Sequence, residues 1–95
     1  MKLIKTLLAV SALSVAAGSA LAQEMTIVSW GGAYSKSQLK AYHEPYSAKT
    51  GVTIINDDSS AEAVAKLRAM NEAGNVTWAV VDVVAADALR LCYEG

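Results

Sequence analysis

The apolar positions of this chain fall into two kinds of run, and the two alternate. Met25 to Trp30 is short and apolar, with Ile27 and Val28 side by side as in a parallel strand covered on both faces. From about Tyr34 toward Lys49 the spacing becomes helical: Leu39, Tyr42 and Tyr46 share one face, while Lys36, Lys40 and Lys49 are free to meet water. Pro45 lacks the amide hydrogen that would bond one turn back, so it is expected to kink or divide this helix, and Gly51 to stop it. Val52 to Asn56 is rich in β-branched residues and predicts a second strand ending at Asp57-Asp58-Ser59-Ser60. Ser59 and Glu62 have the spacing of a capping box. The helix after it, about Ser60 to Ala73, sets Ala63, Val64, Leu67 and Met70 on one side and closes at Gly74-Asn75. A third strand, about Trp78 to Val84, is apolar apart from Asp82, and Ala86 to Tyr93 opens a third helix.

Strands separated by helices of this length predict right-handed crossovers and an α/β fold of order βαβαβα, a small parallel sheet with helices on both faces. Residues 23–95 lie near the lower limit for a self-sufficient core, since a chain of about 60 residues buries only a marginal share of its surface. A three-stranded sheet of this kind has edges that are normally paired or covered. The expectation is therefore the first part of a longer fold, with a truncated product of no function as one alternative.

Residues 1–22 have a different character. Lys2 and Lys5 precede an apolar run from Leu7 to Ala17, and Gly18-Ser19-Ala20-Leu21-Ala22 supplies the small residues of a cleavage site, the order of an export signal. The run is shorter than the about 20 residues needed to span a bilayer. Cleavage is expected after Ala22. With no cysteine directly after that point, the product is expected to be freely soluble, in the periplasm of a Gram-negative cell.

Removing that segment leaves Lys36, Lys40, Lys49, Lys66, Arg68 and Arg90 against nine acids, a mildly acidic surface and a poor partner for nucleic acid. Cys92 is the single cysteine, which excludes a disulfide framework and reads as a partly buried, inert helix residue. His43, the one histidine, reads as a solvated helix residue. No metal cluster, nucleophile-base pair, dinucleotide fingerprint or phosphate loop is present, so no catalytic residue, metal or cofactor is assigned. A small α/β enzyme is the least supported class.

In an open parallel sheet, ligands sit beyond the carboxyl ends of the strands. Three such ends exist here: Trp30 to Tyr34, Asp57 to Ser60, and Val83 to Ala86. Gly31-Gly32 allow a tight turn, and Trp30 and Tyr34 can flank an aliphatic or cationic ligand or, equally, cap the core beside a plain strand-to-helix turn. The hydroxyls of Ser59 and Ser60 can contact a ligand, although capping accounts for Ser59 alone. Asp57 and Asp58 can attract an amine but read first as loop or surface charges, and Asp82 as the partner of a backbone amide or a basic side chain.

In order, Thr26-Ile-Val-Ser-Trp-Gly-Gly-Ala-Tyr34, Pro45-Tyr46 with Lys49-Thr-Gly-Val52, Ala65-Lys-Leu67 and Asp87-Ala-Leu-Arg-Leu-Cys92 resemble the N-terminal part of periplasmic solute-binding proteins of ABC transporters, specifically the spermidine/putrescine-binding family. The resemblance implies a two-lobed receptor, monomeric at full length and not an enzyme, that closes on a polyamine and delivers it to an inner-membrane permease. It further implies that this chain is part of the first lobe with an incomplete cleft. Trp30 and Tyr34 correspond to first-lobe aromatic contacts; Ser59 and Ser60 are weaker candidates. Where such relatives often have polar or acidic residues this chain has Gly31-Gly32, Ala79 and Val84, so an amino acid, an organic acid or another small solute is the alternative ligand. Peptide mass spectrometry of the exported product should find Gln23 as its first residue; a product that retains Met1 to Ala22 would remove the export reading.

Overall fold

The computed structural model describes residues 23–95; the leader expected over residues 1–22 and its cleavage point after Ala22 lie outside the described residues. Strand β1 (Glu24–Val28) leads into helix α1 (Gly32–Gln38), a π-helical segment (Leu39–His43) and helix α2 (Glu44–Thr50). Strand β2 (Thr53–Asp57), a 3-10 turn (Ser60–Glu62), helix α3 (Ala63–Glu72), strand β3 (Val80–Val81) and helix α4 (Ala85–Glu94) follow. The strands form one parallel sheet in the order β2-β1-β3. Its register runs from Glu24↔Thr53 to Val28↔Asp57 on one side of β1, with Ile27↔Val80 and Val28↔Val81 on the other. The first crossover runs outward from the central strand to β2 and the second runs back past β1 to β3, so they cross the sheet in opposite directions and the right-handed rule puts their helices on opposite faces. This is the α/β architecture that the alternating runs predict. Among the described residues no helix is long and apolar enough to cross a membrane.

The division expected at Pro45 takes a specific form. Pro45 sits in the first turn of α2, where its missing N–H breaks no bond, and the ladder shifts just before it: the Glu44 amide donates to the Leu39 carbonyl, five residues back instead of four. That extra residue in the turn rotates the faces. Tyr42 and Tyr46, expected beside Leu39 on the inner face, are 69% and 45% exposed, whereas His43, expected in water, is only 6% exposed. Gly51 ends α2 in the left-handed region at φ 76°, with its amide on the Ser47 carbonyl at 2.9 Å.

Three local expectations are corrected. The third strand is shorter than the apolar run from Trp78 to Val84, because among the described residues β1 is its only partner and leaves the sheet after Val28. Isolated ladder bonds, Ala79 N–H to the Thr26 carbonyl and Asp82 N–H to the Val28 carbonyl, both 2.9 Å, flank it. The capping box does not form: the Ser59 hydroxyl donates to the Asp57 carboxylate, a charged acceptor that outcompetes a neutral cap, and the turn is closed by the Glu62 amide on the Ser59 carbonyl. Cys92 is exposed rather than partly buried.

Val28, on the central strand, and Ala63, opening α3, are the fully buried apolar residues. Arg68 of α3 grips Glu94 of α4 through two bonds of 2.8 and 2.5 Å. That fork raises the Arg68 pKa and holds the Glu94 carboxyl below its ordinary value. Its contribution to stability is thus present above the ordinary carboxylate range and fades as the pH falls through the lowered pKa. Burial at Val28 is the larger effect. Val28→Ala removes two methyl carbons from a fully covered site, so urea unfolding should show a loss of about 2 kcal/mol, the transfer value plus a cavity term. A loss under about 0.5 kcal/mol would mean that β1 is not the centre of the core.

Candidate functional site

Apart from His43, the buried polar side chains among the described residues collect near the carboxyl ends of the strands. Ser29, Ser35, Ser59 and Ser60 are 3%, 9%, 8% and 4% exposed, and burial requires that each find partners. Ser29, one residue past β1, donates its amide to the Asp57 carbonyl at 2.8 Å and accepts the Ser60 amide at 3.0 Å. Its hydroxyl donates to the Gln38 carboxamide oxygen at 2.5 Å. Gln38, at the end of α1, in turn points its amide hydrogens at Asp82, with Nε2 to Oδ2 at 3.1 Å.

Asp82 follows β3 and is the meeting point of the edge. Its Oδ2 also accepts the Tyr34 phenol at 2.6 Å, and its backbone carbonyl accepts the Ser60 hydroxyl at 2.6 Å. The expectation of a backbone amide or basic partner for this carboxylate is corrected: a phenol and a carboxamide hold it. Asp58 likewise accepts the Ser35 hydroxyl at 2.7 Å, while Ser35 Oγ accepts the Gly31 amide at 2.8 Å. Glycine suits position 31 because its φ of 88° lies in the left-handed region, where a side chain is strained.

Among the residues singled out from sequence, Trp30 and Tyr34 stand 43% and 50% exposed on the loop and first turn after β1. Ser59 and Ser60 lie beneath, their hydroxyl hydrogens directed at Asp57 and at the Asp82 carbonyl. Tyr34 and Ser60 therefore converge on one residue, Asp82. Sequence reasoning assigned no part to Ser29, Ser35 or Gln38, whose roles rest on the Ser29–Gln38, Ser35–Asp58 and Gln38–Asp82 contacts, 9, 23 and 44 positions apart. The one available signal was a lone aspartate in an apolar strand. Among the described residues no group of three His, Cys, Asp or Glu is placed to hold a metal ion. The edge instead offers two half-exposed rings, carboxylates at Asp57, Asp58 and Asp82, and hydroxyls whose hydrogens already point inward.

Because the phenol donates to Asp82, Tyr34 titrates above its ordinary value, the hydrogen bond first and burial and the nearby negative charge next. A raised folded pKa means that this contribution to stability is complete below the ordinary phenol range and is lost as the pH rises through the raised value. Carbon NMR of the Tyr34 ring should give a midpoint above the ordinary value of about 10, and Asp82→Ala should bring it back. An unchanged midpoint in that variant would rule out the bond.

No family model matches the chain. Over 80 residues, 84% of its length, the chain is 38% identical to a protein of Pseudomonas aeruginosa named gamma-aminobutyric acid-binding protein. It spans about a fifth of that relative, 22% of its length.

Proposed function

We propose that this chain contributes part of the first lobe of an exported receptor that captures a small amine-bearing solute in the periplasm and presents it to an inner-membrane ABC permease. The reading is of a binding protein and not an enzyme, monomeric when complete. The observation that carries it is the pair of half-exposed rings, Trp30 and Tyr34, at the carboxyl edge of the sheet, where Asp82 holds the Tyr34 phenol and the exposed Asp58 lies beside Gly31. Ring faces attract cations and cover methylene chains, and carboxylates compensate an ammonium group taken out of water. Similarity to a protein named for gamma-aminobutyric acid favours a short ω-amino acid, which has an ammonium at one end. The neighbouring carboxylates of Asp57 and Asp58 at the same edge favour a second reading, a polyamine such as putrescine or spermidine. Ser59 and Ser60, buried at the same edge, are weaker contact candidates in either case.

Residues 23–95 offer one wall of a cleft, and a small-molecule site surrounds most of its ligand. The test therefore uses the receptor as its native cell exports it, identified by intact mass and titrated calorimetrically with γ-aminobutyrate, putrescine and spermidine. At least one should bind with a Kd on the order of micromolar, and Trp30→Ala should weaken it about tenfold. Silence with all three solutes, or full affinity in Trp30→Ala, would overturn the reading.

A further inference from the structure

The hydrogens at the carboxyl edge have a direction, and that direction discriminates between ligands. A carboxylate accepts and does not donate, so the Tyr34 phenol is the donor in its 2.6 Å bond to Asp82 Oδ2. With its single hydrogen engaged, the phenol oxygen has only lone pairs left for a ligand. The arrangement is held from behind. Ser29 donates to the Gln38 carbonyl oxygen, which orients the carboxamide so that its NH₂ meets the same Asp82 oxygen. Ser29 is 3% exposed and anchored through its backbone to Asp57 and Ser60, so this support is fixed by the sheet itself. The Ser35 hydroxyl also donates to a carboxylate, that of Asp58, and the Ser60 hydroxyl to the Asp82 carbonyl.

We propose that Asp82, buttressed by Gln38 and Ser29, is a specificity-determining positioning residue that makes Tyr34 an acceptor-only contact. The edge thereby reads the ammonium end of a solute and turns away a carboxylate. Asp82 acts through the phenol rather than by touching the ligand. The inference rests on the proposed receptor function and adds which end of the solute this wall receives.

A double-mutant cycle on the exported receptor tests it, with γ-aminobutyrate, putrescine and the amine-free butyrate as probes and circular dichroism as the check that each variant folds. The parent should bind an amine-bearing probe at least tenfold more tightly than butyrate, the discrimination expected of one hydrogen bond to a charged group. Asp82→Ala, which frees the phenol hydrogen, should cut that preference about tenfold, yet change nothing further in a Tyr34→Phe background. Asp82→Asn keeps a carbonyl acceptor for the phenol and should stay within about threefold of the parent, the rescue that separates positioning from a direct ion pair. If Asp82→Ala costs the same with and without the phenol, or Asp82→Asn loses as much as Asp82→Ala, Asp82 contacts the ligand itself and this inference alone is overturned. If no probe binds the parent, the proposed function fails and takes the inference with it.

Discussion

Strand β1 is hydrogen-bonded on both sides, and the chain leaves it at Ser29 with every polar group of that residue engaged: amide to Asp57, carbonyl to Ser60, hydroxyl to Gln38. A buried backbone group without a partner is costly, so the bond from Ser29 fixes where β2 ends and the bond to it fixes where the 3-10 turn begins. The next residue of β1 inward, Val28, is fully covered and receives the amide of Asp82. The three strand ends are thus joined through two neighbouring residues. Whatever the edge does, it does on a platform whose geometry is set by main-chain bonds rather than by flexible side chains.

That platform divides the edge into two layers. Below, serines are buried and their hydroxyl hydrogens run to carboxylates or a carbonyl; above, Trp30 and Tyr34 present half of their surface to solvent. Asp82 belongs to both layers, since its carbonyl holds Ser60 and its carboxylate holds Tyr34. Holding a ring in place before any ligand arrives lowers the ordering cost of binding. Gly31-Gly32 follow from the loop's backbone, which turns through two residues of positive φ, 88° and 56°.

The opposite end of the molecule is organised by Pro45. Its missing N–H is accommodated by a five-residue turn, and that turn moves His43 inward and the two neighbouring tyrosines outward. The His43 Nδ1 is buried without a hydrogen-bond partner among the described residues, consistent with a side chain brought inside by backbone geometry rather than by its own bonding. A single imino acid therefore decides which residues of this helix meet the sheet.

The alternation of apolar runs determined the class of fold, the order of elements and the two glycine-marked stops, because strand and helix periodicity are properties of neighbouring residues. It also placed Trp30, Tyr34, Ser59 and Ser60 at strand ends, where an α/β sheet gathers its loops. What it did not determine depends on residues distant in sequence. The length of β3 follows from where β1 departs, the loss of the capping box from a carboxylate two residues earlier, and the inward turn of His43 from a shift of the helical ladder at Pro45. Above all, Tyr34 and Asp82 are 48 positions apart, and no local pattern links them. Composition and spacing could mark Asp82 as unusual, but only the crossing of β3 past the end of β1 brings its carboxylate to the phenol, because hydrogen-bond direction is a property of contacts and not of order along the chain.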